Sequence, residues 1–262
     1  MAELPHCDTL QLNLEAGVLH VTLNRPDCRN AMSLAMVNEL RQVLACVKQN
    51  TGVRALVLRG AGGHFCAGGD IKDMASARSA GSKAYRELNR AFGSLLEQAQ
   101  NVPQVVIAVL EGAVLGGGFG LACISDIAIA AESSKFGLPE TTLGVIPAQI
   151  APFVVKRIGL TQARRLALTG ARFDGAEALR LGLVHYCEAE VETRLSEVLG
   201  QVRQCAPNAN AQTKALLLAT EDEPLEALLD GAAEQFAAAV TGPEGAEGTM
   251  AFMQKRPPKW AE

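Results

Sequence analysis

The chain has 262 residues, 48% of them hydrophobic and 20% charged, which excludes a disordered protein and leaves enough length for one large core. Its 24 Lys+Arg against 28 Asp+Glu give a formal charge of -4 and no basic stripe, so a nucleic-acid partner is not expected. Glycine is the outlier, with 25 residues against 4% aromatics. The glycines follow no repeat, which excludes a collagen-like chain.

In chain order, Leu10, Leu12 and Leu14 alternate with polar residues, and Leu19, Val21 and Leu23 alternate with His20 and Thr22. Gly17 separates the two runs, a β-hairpin pattern. Asn24-Arg25-Pro26-Asp27 reads as a turn, and Ser33 as the N-cap of a helix carrying Val37, Leu40, Leu44 and Val47 on one face. A strand follows over 53–58, and a helix over 82–101 with Tyr85, Leu88, Phe92, Leu95 and Leu96 in line, closed by Pro103. Val105 to Leu110 is an unbroken apolar run, as in a strand covered on both faces. A glycine triplet, a helix of small residues and a strand at 127–130 come next. From Thr161 the pattern is helical apart from a brief strand-like segment at 183–186, with helices over 190–204, 208–220 and 224–240, then a Gly-Pro-Glu-Gly break at 242–245 and a final short helix ending near Arg256-Pro257-Pro258. Glu221-Asp222-Glu223 reads as a solvated helix start. Repeated strand, glycine-rich loop and helix units define the α/β class.

The seven cysteines stand singly at 7, 28, 46, 66, 123, 187 and 205, with no CxxC pair and no matching spacing among His6, His20, His64 and His185. Neither a metal site nor a disulfide framework is expected, and most cysteines should be small buried residues of a reducing compartment. The start of the chain lacks a secretory pattern, and the most apolar region is broken by Pro103, Glu111 and Asp126. The expectation is a cytoplasmic protein with no membrane partner.

The usual chemical motifs are missing: there is no phosphate loop, no GxSxG elbow and no HExxH pair. What remains is two glycine clusters, Gly60 to Asp70 and Gly112 to Gly118, each leading from a strand into a helix. Free backbone N–H groups at two such corners could form an oxyanion hole. Tight turns that let strands and helices pack closely would give the same pattern. The glycines alone leave both readings open.

Longer segments decide between them. Phe65-Cys66-Ala67-Gly68-Gly69-Asp70-Ile71-Lys72, Gly112-Ala113-Val114-Leu115-Gly116-Gly117-Gly118 and Phe136-Gly137-Leu138-Pro139-Glu140 resemble the three signature segments of the enoyl-CoA hydratase/isomerase (crotonase) superfamily. Leu23-Asn24-Arg25-Pro26 and the stretch from Ala163 to Gly170 resemble further blocks, in the family's order. The resemblance implies a spiral of β-β-α units, placed at 1–198, and a C-terminal helical trimerisation subdomain at 199–262. It also implies a homotrimer or dimer of trimers, a coenzyme A thioester substrate, and no cofactor beyond the coenzyme A the substrate carries. The backbone N–H groups of Gly69 and Gly117 would hold the thioester oxygen, and Glu140 would be the acid/base. As an alternative, Glu140 reads as a helix-start acid after Pro139. Coenzyme A contacts fall by resemblance on Arg25, on Ala67, Gly68, Asp70, Ile71 and Lys72, and on Phe252 and Lys255 of the tail. Lys255 reads equally as a solvated surface lysine.

One departure matters. Many family hydratases carry a second glutamate two residues after the glycine triplet, where this chain has Gly120. Glu111 and Asp126 are poor substitutes, Asp126 reading as a structural partner. Hydration by Glu140 alone, double-bond isomerisation, decarboxylation and acyl-CoA binding without turnover all stay open on that ground. The segment Leu143 to Val154, with its two prolines, resembles bacterial 3-methylglutaconyl-CoA hydratases and the isohexenylglutaconyl-CoA hydratases of acyclic terpene breakdown. This implies water addition to a 3-branched glutaconyl-CoA in terpene or leucine-type catabolism. The substrate's remote carboxylate would then meet one of Lys72, Arg78, Lys83, Arg86 or Gln149.

Overall fold

The computed structural model describes residues 4–261, the side chains of Arg78 and Ala80 excepted. Strands β1 (Leu10–Glu15) and β2 (Val18–Leu23) form the expected hairpin, turning at Ala16 and Gly17, where φ is positive. Helix α1 (Leu34–Lys48) begins where Ser33 accepts the backbone N–H of Met36. Strand β3 (Ala55–Gly60), helices α2 (Ile71–Ala80) and α3 (Ser82–Gln100), and strands β4 (Val105–Leu110) and β5 (Ala113–Leu115) follow. Next come α4 (Gly117–Ile124), β6 (Ile127–Ala131), β7 (Lys135–Gly137), α5 (Ala151–Thr169), β8 (Arg172–Phe173), α6 (Gly175–Arg180) and β9 (Tyr186–Glu188). Helices α7 (Val191–Gln204), α8 (Pro207–Ala219), α9 (Leu225–Thr241) and α10 (Pro243–Met253) complete the chain.

The main sheet runs β1-β2-β3-β4-β6-β9, parallel from β2 onward, and a small sheet runs β5-β7-β8. Two isolated bridges, Met32 to Gly69 and Cys66 to Val114, extend the small sheet's line. Each turn of the chain thus contributes a strand to the main sheet, a short segment to the second, and a helix. The β-β-α spiral is the observed fold.

Side-chain alternation separates two cores. On β3, β4 and β6, residues Leu56, Leu58, Val106, Ala108, Leu110, Ala128 and Ala130 face the large core with α1, α3 and α4. Their neighbours Ala55, Val57, Ile107, Val109 and Ile129 face the opposite side. There α7 covers them with Val191, Leu195, Val198 and Val202, a stripe at helical spacing. This is why β4 carries no polar residue. It also corrects the expected boundary at 198/199, which falls inside α7; that helix belongs to the core.

Other expectations need adjustment. Two cysteines are buried, Cys66 and Cys123; the other five are partly or fully exposed, and none of the seven is in a disulfide. Glu221 to Glu223 lie in the turn after α8, with Glu221 ion-paired to Lys156. The 183–186 segment becomes a strand only from Tyr186. Asp126 is structural as expected: Oδ2 accepts the Val106 N–H at 2.7 Å and Lys214 Nζ at 2.7 Å, tying α8 to the core. No described helix is long and apolar enough to cross a membrane.

Candidate active site

The glycine clusters meet where the bridge between Cys66 and Val114 joins them: the Cys66 N–H donates to Ala113 O (2.9 Å) and the Leu115 N–H to Cys66 O (2.9 Å). The approach demands glycine. Gly68 (φ 105°) and Gly116 (φ 49°) adopt backbone conformations that side chains disfavour, and a β-carbon on Gly116 would lie 3.5 Å from Gly68 Cα. Gly118 packs so closely on Cys66 that a β-carbon would come within 2.8 Å of its carbonyl oxygen.

Both corners open helices. Gly69 precedes α2, and Gly117 is the first residue of α4. Neither N–H donates to a protein acceptor among the described residues, whereas the neighbouring Asp70 and Gly116 N–H groups bond Met32 O and Gly137 O. Two free donors at adjacent helix starts can hold an oxygen that is gaining negative charge.

Asp70 holds the first corner in place. It is only 5% exposed. Its Oδ1 accepts the Lys72 and Asp73 N–H groups, and its Oδ2 pairs with Arg25 Nη1 at 2.7 Å. Burial works against its ionisation, but Arg25 and the two backbone donors outweigh it and hold the carboxyl below its ordinary value. Arg25 also donates to Ala31 O at 2.7 Å. Of the residues expected near coenzyme A, Arg25 and Asp70 are therefore bonded to the chain itself, bracing the corner.

Glu140 comes from the small sheet. After β7, Pro139 leads into a single 3-10 turn over Glu140–Leu143. Its carboxylate reaches back to the second corner: a β-carbon on Gly116 would be 3.0 Å from Oε1. Oε2 is buried with no hydrogen-bond partner. Burial raises the carboxyl above its ordinary value, opposed only by its own backbone N–H. Glu140 does begin a helical turn after Pro139, as the alternative reading has it, but its carboxylate lines a cavity, partly desolvated and ready to take a proton.

That cavity, about 420 Å³, is lined by Gly69, Gly117 and Glu140 at one end and by Met74, Tyr85, Leu88, Phe92 and Ile146 along its walls. Besides Glu140 and the Tyr85 hydroxyl, the polar side chains of the lining are Asp70, Asp73, Arg86, Asn89 and Gln149. The wall comes mainly from α3 and from residues 145–150, and sequence reasoning had not assigned its aromatic residues to a site. Phe92 lies against Gly117, whose β-carbon would be 3.3 Å from its ring. Their legible signal was only the apolar stripe of α3, which any core helix shares.

The remaining expected contacts lie outside the cavity lining. Ala67, Gly68, Ile71 and Lys72 occupy the first corner and the start of α2, with Ile71 81% exposed. Phe252 and Lys255 lie at the exposed end of α10, Phe252 being 85% exposed and Lys255 in a left-handed conformation (φ 53°). Among the candidates for a remote carboxylate, Arg86 and Gln149 line the cavity, while Lys83 pairs with Glu87 (3.8 Å) on the surface. The side chain of Arg78 lies outside the described residues.

A β-carbon on Gly120 would come within 2.6 Å of Ile150 Cγ2 and 3.3 Å of Leu96 Cδ1. The place of the second glutamate is filled by apolar side chains.

The family model described as enoyl-CoA hydratase/isomerase matches residues 13–262. A probable enoyl-CoA hydratase of Bacillus subtilis is 33% identical over 97% of this chain and 98% of its own length. A peroxisomal Delta(3,5)-Delta(2,4)-dienoyl-CoA isomerase of Arabidopsis thaliana is 31% identical over 97% of this chain and 96% of its own. The solved structure of Pseudomonas aeruginosa AtuE is 72% identical, covers 97% of this chain and 100% of its own, and superposes with a TM-score of 0.96.

Proposed function

Because the chain belongs to the enoyl-CoA hydratase/isomerase family, we propose that it is a hydratase adding water across the Cα–Cβ double bond of a 3-branched glutaconyl-CoA. Isohexenylglutaconyl-CoA and 3-methylglutaconyl-CoA are the preferred substrates of this reading. At the coarser level the chain is an enzyme of the crotonase superfamily, acting on an enoyl-CoA thioester as hydratase or isomerase.

The observation that carries the reading is the half-buried Glu140 carboxylate, its Oε2 without a partner, beside two free backbone donors in one cavity. In the proposed step, Glu140 takes a proton from water as the water oxygen bonds Cβ. The π pair moves through Cα toward the thioester oxygen, whose charge the Gly69 and Gly117 N–H groups stabilise more in the transition state than in the substrate. The protonated Glu140 then gives its proton to Cα, and the 3-hydroxyacyl thioester leaves with the carboxylate regenerated. No further cofactor enters this scheme.

The cavity's mainly apolar wall suits a branched chain, and Arg86, with no ion-pair partner among the described residues, suits the remote carboxylate. Arg25 and the stretch from Ala67 to Lys72 would flank the nucleotide. Phe252 and Lys255 would reach coenzyme A, in some assemblies that of a neighbouring subunit. Leu217, Leu225, Leu229, Phe236 and Val240 leave an exposed apolar surface on α8 and α9, which supports a trimer or a dimer of trimers.

The test is a substrate panel of crotonyl-, methylglutaconyl- and isohexenylglutaconyl-CoA, with products identified by mass and by NMR. Water addition favouring the branched diacid thioesters is the expected result. Isomerised products alone would end the hydratase reading. Gly120 favours that second reading, since one carboxylate suffices to move a proton between carbons.

A further inference from the structure

We propose that the Gln149 carboxamide is the second polar group of the hydration site, holding the attacking water against Glu140 where the chain has no second carboxylate. The inference rests on the hydratase reading above and deepens it.

Gln149 and Ile150 divide the work on one wall. Ile150 closes the space over Gly120. Gln149, the residue before it, lays its amide on α3 over Gly93: a β-carbon there would overlap Oε1 and come within 2.8 Å of Cδ. Gly93 is buried in the helix interior with no positive φ to require glycine, and glycine there weakens a helix relative to alanine. What the missing side chain provides is room for the Gln149 amide. On the same helix Phe92 lines the cavity against Gly117, while Leu96 packs in the core against Gly120.

The amide is partly buried, lines the cavity that holds Glu140, and hydrogen-bonds no other group among the described residues. The cavity reaches the amide, so a polar molecule bound there can complete its hydrogen bonds. An amide offers an acceptor and two donors and stays neutral. Oε1 can accept one O–H of a water whose other O–H points to Glu140, without competing for the proton. Glu140 takes that proton, the water oxygen bonds Cβ, and the proton passes on to Cα as before.

The experiment separates water handling from proton handling. Hydration of the branched glutaconyl-CoA that the wild type prefers is measured beside exchange of the Cα proton of the matching saturated thioester in D₂O. Exchange needs Glu140 and the thioester corner but no added water. Gln149→Leu should lower kcat for hydration by about 10²-fold, in the range of a positioned polar group, with KM and exchange changed less than about threefold. Gly93→Ala, which pushes the amide aside while favouring the helix, should lower hydration in the same direction without lowering Tm. Hydration unchanged in Gln149→Leu overturns the proposal, as does exchange falling in parallel with hydration. A rise in KM alone, confined to substrates with a remote carboxylate, overturns it too and assigns the amide to that carboxylate. A wild type that exchanges or isomerises without adding water overturns the hydratase reading itself and the water role with it.

Discussion

Restoring a carboxylate at position 120 should fail, and the packing there sets the cost. The β-carbon of Gly120→Ala would sit 2.6 Å from Ile150 Cγ2, about 0.8 Å inside an ordinary contact, and 3.3 Å from Leu96 Cδ1. Overpacking of one buried methyl costs about 1–3 kcal/mol, while alanine in place of glycine in a helix returns about 1 kcal/mol. The net is a loss of about 0–2 kcal/mol, or a fall in Tm of about 2–4 °C per kcal/mol for a chain of this size. Gly120→Glu adds a carboxylate against Ile150 and Leu96 and carries a desolvation cost of at least about 1–3 kcal/mol more. It should melt lower than Gly120→Ala at pH 8 and hydrate no faster than wild type.

The assay is thermal unfolding by calorimetry together with turnover, run on Gly120→Ala, Ile150→Ala and the double variant. Removing Ile150's outer carbons gives the new methyl its room, so the two substitutions should be non-additive by about 1–2 kcal/mol. Additive effects, or a Gly120→Glu enzyme as stable as wild type and faster in hydration, would show that Ile150 does not fill this place.

Glu140→Gln should lower turnover by about 10²–10⁴-fold, the range of general acid/base work, and should not weaken the fold. The folded carboxyl binds its proton more tightly than the unfolded one because it is buried. Its ionisation therefore costs stability as pH rises through the folded value, and costs nothing below the unfolded one. The glutamine variant should melt at or above wild type at pH 8, the gap closing below about pH 4; a lower Tm at pH 8 would contradict the burial argument. Asp70 has the opposite sign. Its carboxyl is held below the ordinary value, so its contribution is present above the unfolded value and lost as pH falls through the folded one. Arg25→Met leaves that carboxylate unpaired and should cost about 2–3 kcal/mol at pH 7, less than a fully buried pair because Arg25 is 26% exposed. Calorimetry across pH should show the deficit shrinking below about pH 4.

The parts of the fold legible in the sequence were those with a local cause. Ser33 marks its helix because its hydroxyl accepts an N–H three residues on, and Val105–Leu110 is apolar throughout because both sheet faces are covered. The two corners were visible for the same reason, as positive φ and close approach demand glycine where they occur. The small sheet was not visible. Its strands are two or three residues long and pair with segments one spiral turn away, so no run of alternation forms. The span at 143–154 resembled a specificity segment but gave no sign that its second half starts α5, since Pro152 and Pro147 read as breaks before the helix is known.

The site shows the same division more sharply. Glu140 and Gly120 were found as one residue present and one absent, and both judgements needed only their own segments. What Gly120 means required the third dimension: a missing carboxylate could leave an open pocket for water, or it could be replaced by a packed wall. Ile150 makes it a wall, so a hydratase built this way has to hold its water elsewhere, and the neighbouring residue lays an amide over a glycine that the helix has no backbone reason to keep. Gly93 stands in the sequence beside the stripe from Tyr85 to Leu96, with nothing local to mark it. A helix-interior glycine with ordinary φ is a statement about whatever lies across from it, and that partner was 56 residues away.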